Sequence, residues 1–89
     1  MQNYKFIVKG RVQGVFYRKI ICENALKENF KGYVKNLPDG TVEAAVSCIE
    51  GEVDNFMKIL KKGSSNSIVD DIETLSCDKS FHKDFEIRY

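Results

Sequence analysis

The sequence has no apolar run long enough to act as a secretion signal or to cross a bilayer, and Lys5 and Lys9 interrupt its first apolar stretch. We therefore expect a cytoplasmic protein that does not enter a membrane. The chain also lacks an excess of either charge, because 14 Lys and Arg residues oppose 13 Asp and Glu residues and leave a formal net charge of +1. No overall field would attract nucleic acid or an anionic surface, so any anion site must be local.

The usual metal-binding patterns are missing too. His82 is the only histidine, and no CxxC or HExxH spacing occurs, so a zinc or iron site would have too few ligands. We expect no metal. The three cysteines, Cys22, Cys48 and Cys77, are odd in number and widely separated, as is common for free cysteines that pack as small apolar residues. A structural disulfide is expected only if the protein resides in an oxidising compartment.

Internal repeats, low-complexity tracts and long linkers are absent as well. A chain of 89 residues cannot divide its apolar side chains between two hydrophobic cores. We therefore expect a single domain over residues 1–89, and a monomer.

Hydrophobic periodicity predicts both strands and helices. Apolar residues recur at every second position over 4–8 and 42–48, as in strands, and at helical spacing over 21–26 and 53–60. Pro38-Asp39-Gly40 is a turn signal, and Gly63 is typical of the residue that ends a helix. The predicted elements are a strand over 4–9, a helix over 17–29, a hairpin of strands over 33–36 and 41–48, a helix over 53–62, a strand over 68–77 and a short terminal strand within 85–89.

This order, β-α-β-β-α-β with one added strand, predicts an α+β fold of the ferredoxin-like type: an antiparallel sheet with two helices on one face. In that arrangement the first and second strands are parallel, and the third lies antiparallel between them. Their carboxyl ends therefore leave the same edge of the sheet. The loop over 10–18 and Asn36 should be neighbours.

The loop itself reads Gly-Arg-Val-Gln-Gly-Val-Phe-Tyr-Arg, from Gly10 to Arg18. A glycine-containing loop that enters a helix can direct several backbone N–H groups at one anion, and an arginine beside it can add paired hydrogen bonds. The alternative is that both glycines only shape a tight connection and that Arg11 and Arg18 are solvated surface charges. The spacing matches neither G-x-x-x-x-G-K-[ST] nor G-x-G-x-x-G, so neither nucleotide motif applies.

Two stretches carry a resemblance to a known family. GRVQGVFYR resembles the signature loop of the acylphosphatases, G-x-V-Q-G-V-x-[FY]-R, and GYVKNLPDGTVE resembles their second signature, G-[FYW]-[VA]-[KR]-N-x-x-[DNK]-G-x-V-E. Both occur in the family's order, and the similarity extends from the first strand to the terminal FEIRY. The connector over 63–67, GSSNS, departs from the proline-containing connector of many members, so its shape is left open.

The resemblance implies an enzyme that hydrolyses the carboxyl-phosphate bond of acyl phosphates to a carboxylate and inorganic phosphate, without metal or organic cofactor. Arg18 would bind the phosphoryl group, and Asn36 would hold and orient the attacking water. Inorganic phosphate or sulfate would occupy the same site. The backbone amides that would cradle the phosphoryl oxygens belong to Val12, Gln13, Gly14, Val15 and Phe16.

Two other classes of function are known alternatives for this fold. RNA-binding modules of this fold stack bases on aromatic residues of the central strands, but the third predicted strand, TVEAAVSCI, contains none. The second alternative is a non-catalytic relative that binds phosphate, carbamoyl phosphate or a protein partner.

Three further side chains lie near the loop or the turn in the sequence. We expect Phe16 to pack into the fold and Thr41 to be a strand residue rather than a nucleophile. Tyr33 has two possible roles, packing against the fold or lining the mouth of the pocket.

Overall fold

The computed structural model describes all 89 residues. The expected element order is confirmed, with boundaries moved by one or a few residues. The elements are β1 (Gln2–Arg11), α1 (Tyr17–Lys27), β2 (Lys31–Asn36), β3 (Val42–Cys48), a 3₁₀ turn (Glu50–Glu52), α2 (Val53–Lys62), β4 (Ile68–Ser76) and β5 (Glu86–Arg88).

The five strands form one sheet in the order β4-β1-β3-β2-β5. β3 pairs antiparallel with both β1 and β2, and β4 pairs antiparallel with β1, as the ferredoxin-like fold requires. The predicted antiparallel pairing of the four main strands is confirmed, and the added strand β5, whose pairing the sequence did not predict, runs parallel to β2. β4 and β5 are the two outer strands of the sheet and run in opposite directions. The sheet is therefore mixed.

One face of the sheet carries the core. The register aligns Phe6, Ala44 and Val34 across the three central strands, and all three are fully buried under the helices. Phe56 of α2 lies at the centre of an aromatic group. Its ring centroid is 5.2–5.8 Å from those of Phe6, Phe30 and Phe85.

The opposite face of the sheet is contacted by the segment around Phe81. The Ser47 hydroxyl accepts a hydrogen bond from the Phe81 N–H at 2.7 Å and donates one to Asn3 Oδ1 at 2.6 Å. The Phe81 ring packs edge-on against Tyr33, with centroids 5.5 Å apart. The position of Tyr33, which the sequence left open, is therefore on this face and not in a pocket near the loop.

The first helix ends two residues earlier than predicted, and the backbone explains why. Asn29 has a positive φ of 61°, its N–H donates to the Leu26 carbonyl, and the Phe30 N–H donates to the Ala25 carbonyl. This is the Schellman arrangement, in which a left-handed residue closes the helix and satisfies its last carbonyls. The helix therefore stops at Lys27 and the chain turns at once into β2.

Tyr17 ties the start of α1 to the end of α2. Its side chain is 1% exposed, and its hydroxyl donates to the Leu60 carbonyl at 2.8 Å. That carbonyl lies in the last turn of α2, where carbonyls have no partner within the helix. Gly63 follows with a φ of 53°, and a Cβ there would collide with the Tyr17 ring and with Ser67 Oγ. Only glycine lets the chain pass this ring.

We predict that Tyr17→Phe lowers the free energy of unfolding at pH 7 by about 1–2 kcal/mol, because the Leu60 carbonyl loses a buried donor. Urea unfolding would measure the loss. Tyr4→Phe, which removes the hydroxyl of a half-buried β1 tyrosine that makes no side-chain hydrogen bond, is the matched control. Equal stabilities of the wild type and Tyr17→Phe would contradict the assignment.

A pH dependence follows from the same hydroxyl. Burial raises the pKa of Tyr17 above its ordinary value of 10.0. The folded protein therefore keeps a proton that the unfolded chain releases, so this stabilisation is complete below pH 10 and is lost above it. We expect the stability gap between the wild type and Tyr17→Phe to shrink above pH 10 by about 1.4 kcal/mol per pH unit. A gap that stays constant to pH 11.5 or widens would contradict this, as measured by urea unfolding of both proteins.

Candidate active site

A cavity of about 420 Å³ opens at the edge of the sheet where β1 and β2 both end. The loop after β1, the first turn of α1, the end of β2 and the chain around β5 surround it. The predicted proximity of the loop and Asn36 is thus confirmed. The cavity is lined by Val12, Gly14, Phe16, Tyr17, Arg18, Lys19, Asn36, Ile87 and Tyr89.

Two glycines shape the loop in different ways. Gly10 has a φ of 132° at an irregularity in the pairing of β1 with β4, and a Cβ there would collide with the Ile68 carbonyl oxygen. Gly14 has a φ of 73°, and a Cβ there would meet no other atom. Glycine is therefore needed at position 10 because a side chain would collide with β4, and at position 14 because the backbone is left-handed. The turn at Gly14 leads the chain directly into α1.

The amino end of α1 faces the cavity without a side-chain cap. No side chain accepts a hydrogen bond from its first N–H groups, and its first turn contains no acidic residue. Uncapped N–H groups carry the positive end of the helix dipole, which favours an anion. This end of the helix can therefore bind a negatively charged group in the cavity.

Arg18 is the second residue of α1, and the chain around β5 holds its guanidinium in place. Nη1 donates to the Arg88 carbonyl oxygen at 3.2 Å, and the guanidinium carbon lies 5.0 Å from the centre of the Tyr89 ring. These contacts use only part of the donor capacity of a guanidinium, which has five N–H groups. Arg18 therefore lies in the cavity, oriented by the backbone and with donors to spare.

Asn36 is the last residue of β2, and its register partner is the buried Val42 on the core face of the sheet. Its side-chain oxygen Oδ1 is buried and accepts no hydrogen bond from the protein. Buried polar atoms nearly always have a partner, and leaving one unpaired costs about 1–3 kcal/mol. An acceptor of this kind beside the cavity suits a group that binds a small hydrogen-bond donor.

Gln13 and Val15, both predicted site residues, do not line the cavity with their side chains. Gln13 Nε2 donates to the carbonyl oxygens of Leu37 and Thr41, each at 2.8 Å, and so ties the loop to the hairpin that follows Asn36. Val15 is buried on the side of the loop that faces the 63–67 connector. Of the predicted set, the structure gathers Val12, Gly14, Phe16, Arg18 and Asn36 around one cavity.

The expectation that Phe16 packs into the fold was wrong. Its side chain is 74% exposed at the rim of the cavity, whereas both neighbours, Val15 and Tyr17, are buried. Phe16 has a left-handed backbone, with φ 61° and ψ 19°, at the position just before α1. Its side chain therefore points out at the start of the helix, between two neighbours that point inward.

The hairpin next to Asn36 is fixed by a local turn. Asp39 Oδ1 accepts hydrogen bonds from the Thr41 hydroxyl at 2.6 Å and from the Thr41 N–H at 3.0 Å. These two bonds lower the pKa of Asp39 below its usual range. The Thr41 hydroxyl is thus occupied within the turn.

The sequence did not indicate four of the cavity residues: Tyr17, Lys19, Ile87 and Tyr89. Ile87 pairs with Val34, so β5 brings its last residues to the edge where β2 ends. The alternation in FEIRY predicted a strand but not its neighbour. Knowing that β5 joins β2 in parallel would have placed residues 87–89 beside Asn36.

The fold and the cavity together define a class: small ferredoxin-like α+β domains built around a glycine-containing strand-to-helix loop. Within that class, the acylphosphatase family model matches residues 4–87. The acylphosphatase of Methanocella arvoryzae is 36% identical over 88 residues, which are 99% of this chain and 100% of that relative. The crystal structure of acylphosphatase from Bacillus subtilis matches with a TM-score of 0.91 and 38% identity, and 100% of both chains is covered. The chain belongs to the acylphosphatase family and is an acylphosphatase enzyme.

A much longer protein contains a similar region. The crystal structure of T. kodakarensis HypF matches 98% of this chain with a TM-score of 0.80 and 33% identity, but this chain covers only 12% of HypF.

In the present structure neither helix has the length and apolar character needed to span a membrane.

We predict that Gln13→Ala lowers the free energy of unfolding by about 0.5–1.5 kcal/mol, because the half-buried carbonyls of Leu37 and Thr41 lose a side-chain donor and keep only their backbone donors. Urea unfolding would measure it. Gln2→Ala, at the exposed start of β1, is the matched control and should leave stability unchanged. If both variants unfold at the same urea concentration as the wild type, Gln13 does not fasten the loop to the hairpin.

Proposed function

We propose that the loop amides of residues 12–16 and the guanidinium of Arg18 bind the phosphoryl group of an acyl phosphate, and that Asn36 orients the attacking water. The observation that carries this proposal is the meeting of three features at one cavity: an uncapped helix start, Arg18, and the unpartnered Oδ1 of Asn36. The first two suit an anion, and the third suits a water molecule.

The phosphoryl oxygens carry the charge that the site must stabilise. Backbone N–H groups of the loop donate to them from fixed positions, and Arg18 adds a charged, planar donor. Because the Arg88 carbonyl and the Tyr89 ring already orient the guanidinium, little rearrangement is needed when charge develops. Donors held in advance in this way are the most effective form of transition-state stabilisation.

Asn36 acts by position and not as a base, because an amide is not basic at neutral pH. Its Oδ1 accepts one O–H of the water and aims the water's lone pair at phosphorus. A bond forms between the water oxygen and phosphorus, while the bond from phosphorus to the acyl oxygen breaks. The carboxylate leaves with that electron pair, and a phosphoryl oxygen takes the water's proton.

This reaction suits a site without a strong base or nucleophile. The leaving carboxylate is a weak base, because the pKa of its acid is about 4, so it needs no proton from the enzyme. Positioning and charge stabilisation can then supply most of the acceleration. We propose that no metal or organic cofactor takes part, and that inorganic phosphate or sulfate binds in the same cavity as a product-like ligand.

One chain supplies every residue that lines the cavity, so we propose that a monomer is the active form. The three cysteines are unpaired, which is usual for proteins of a reducing compartment. We propose the cytoplasm as that compartment.

The test is phosphate release from benzoyl phosphate in the presence of a metal chelator. We predict that Arg18→Ala and Asn36→Ala each lower kcat/KM by about 10²–10³-fold, the usual effect of losing a positioned hydrogen-bonding group. Arg11→Ala removes an exposed arginine at the end of β1, next to the loop and outside the cavity, and is the matched control for charge. Circular dichroism would verify that each variant is folded.

Wild-type turnover in a folded Arg18→Ala or Asn36→Ala variant would remove that residue from the mechanism. A folded wild type that binds phosphate but releases none from benzoyl phosphate would instead point to the non-catalytic alternative.

A further inference from the structure

We propose that Ser64, in the 63–67 connector between α2 and β4, is a positioning residue for the reaction: it sets the orientation of the peptide between Val15 and Phe16 in the phosphoryl-binding loop. This inference rests on the proposed function of that loop. Ser64 does not line the cavity, so it touches no substrate and acts only through the loop.

The key contact is one short hydrogen bond. Ser64 Oγ donates to the Val15 carbonyl oxygen at 2.6 Å across a half-buried contact. The chain contains no cis peptide bond, and in a trans peptide the carbonyl and the following N–H point in opposite directions. Fixing the Val15 carbonyl towards the connector therefore directs the Phe16 N–H away from it.

The two sides of the loop face different spaces. Val15 and Ser64 line a depression on the connector side, whereas Val12 and Gly14 line the main cavity, and Phe16 reaches both. A Phe16 N–H that points away from the connector thus points to the side on which Arg18 and Asn36 lie. The Ser64 hydrogen bond selects this orientation over the flipped peptide.

Phe16 needs such support because its backbone is strained. Its φ of 61° lies in the left-handed region, which is uncommon for residues other than glycine and persists only where the surroundings enforce it. Ser64 holds the peptide before Phe16, and the bond from Tyr17 to the Leu60 carbonyl holds the residue after it. Both anchors come from the carboxyl end of α2 and the connector that continues it.

The connector is held in shape by hydrogen bonds of its own, independently of its contact with the loop. The Ser67 hydroxyl accepts from the Ser64 N–H and donates to the Ser64 carbonyl, both at 2.9 Å, and the Ser67 N–H donates to that carbonyl at 3.1 Å. This closed turn fixes the backbone of Ser64, so its hydroxyl loses little freedom when it binds the Val15 carbonyl. Ser64 and Ser67 thereby close a turn in a connector that has no proline.

The experiment compares Ser64→Ala with Ser65→Ala, which removes an exposed hydroxyl from the same connector. Two quantities are measured: the Kd for inorganic phosphate and the kcat/KM for benzoyl phosphate. We expect Ser64→Ala to weaken phosphate binding and to lower kcat/KM by about threefold to tenfold each, the usual weight of one hydrogen bond. Ser65→Ala should change neither, and Ser64→Thr, which keeps the hydroxyl, should restore both.

NMR on ¹⁵N-labelled protein distinguishes a role in orienting the Phe16 N–H from a role in stability alone. Phosphate should shift the Phe16 amide resonance in the wild type, and this shift should be reduced in Ser64→Ala while that of Gly14 is retained. Unchanged phosphate affinity and an unchanged Phe16 shift in folded Ser64→Ala would overturn the proposal. If the wild type binds phosphate without turnover, the catalytic proposal fails and the phosphate Kd still tests Ser64. If it binds no phosphate, both fail.

Discussion

The whole arrangement depends on β3 pairing with β1 and β2 at the same time. Because β3 is antiparallel to both, β1 and β2 point the same way and end at one edge of the sheet. That edge receives the loop after β1 and the side chain at the end of β2, which are far apart in the chain. A sheet in which β2 paired directly with β1 in a simple hairpin would put their ends on opposite edges. The site therefore follows from strand order before any side-chain contact forms.

The groups with the most perturbed pKa values serve the fold and not the proposed chemistry. Burial raises the pKa of Tyr17, and burial together with a hydrogen bond to Glu43 raises that of Tyr33. Both hydroxyls donate within the structure, one to a helix carbonyl and one to a carboxylate. In the cavity itself the proposed work falls to backbone dipoles, one guanidinium and one amide, none of which has to exchange a proton near neutral pH. Such a site relies on geometry, so the contacts that hold the loop matter as much as those that would meet the substrate.

The sequence was informative where structure follows from local pattern. Alternation and helical spacing predicted the strands and helices, and strand order then predicted that Asn36 lies near the loop. The sequence was not informative where a contact between distant parts of the chain determines which strands pair or which residues line the cavity. The alternation in FEIRY is the same for any pairing, so the parallel alignment of β5 with β2 and the cavity position of Tyr89 were not foreseen. Phe16 was misjudged because an apolar residue in this pattern does not signal that it alone, between the buried Val15 and Tyr17, points out.

The position of β1 in the sheet also affects the kinetics of folding. β1 lies inside the sheet, where Tyr4 pairs with Val46 on one side and Ser76 on the other. Contacts that join distant parts of a chain form slowly, because the loop between them must first be ordered. Arg11, the last residue of β1, pairs with Ile68, so the start of the loop is fixed only once β4 has docked. We expect the cavity to form late in folding and to have no working version in a partly folded chain.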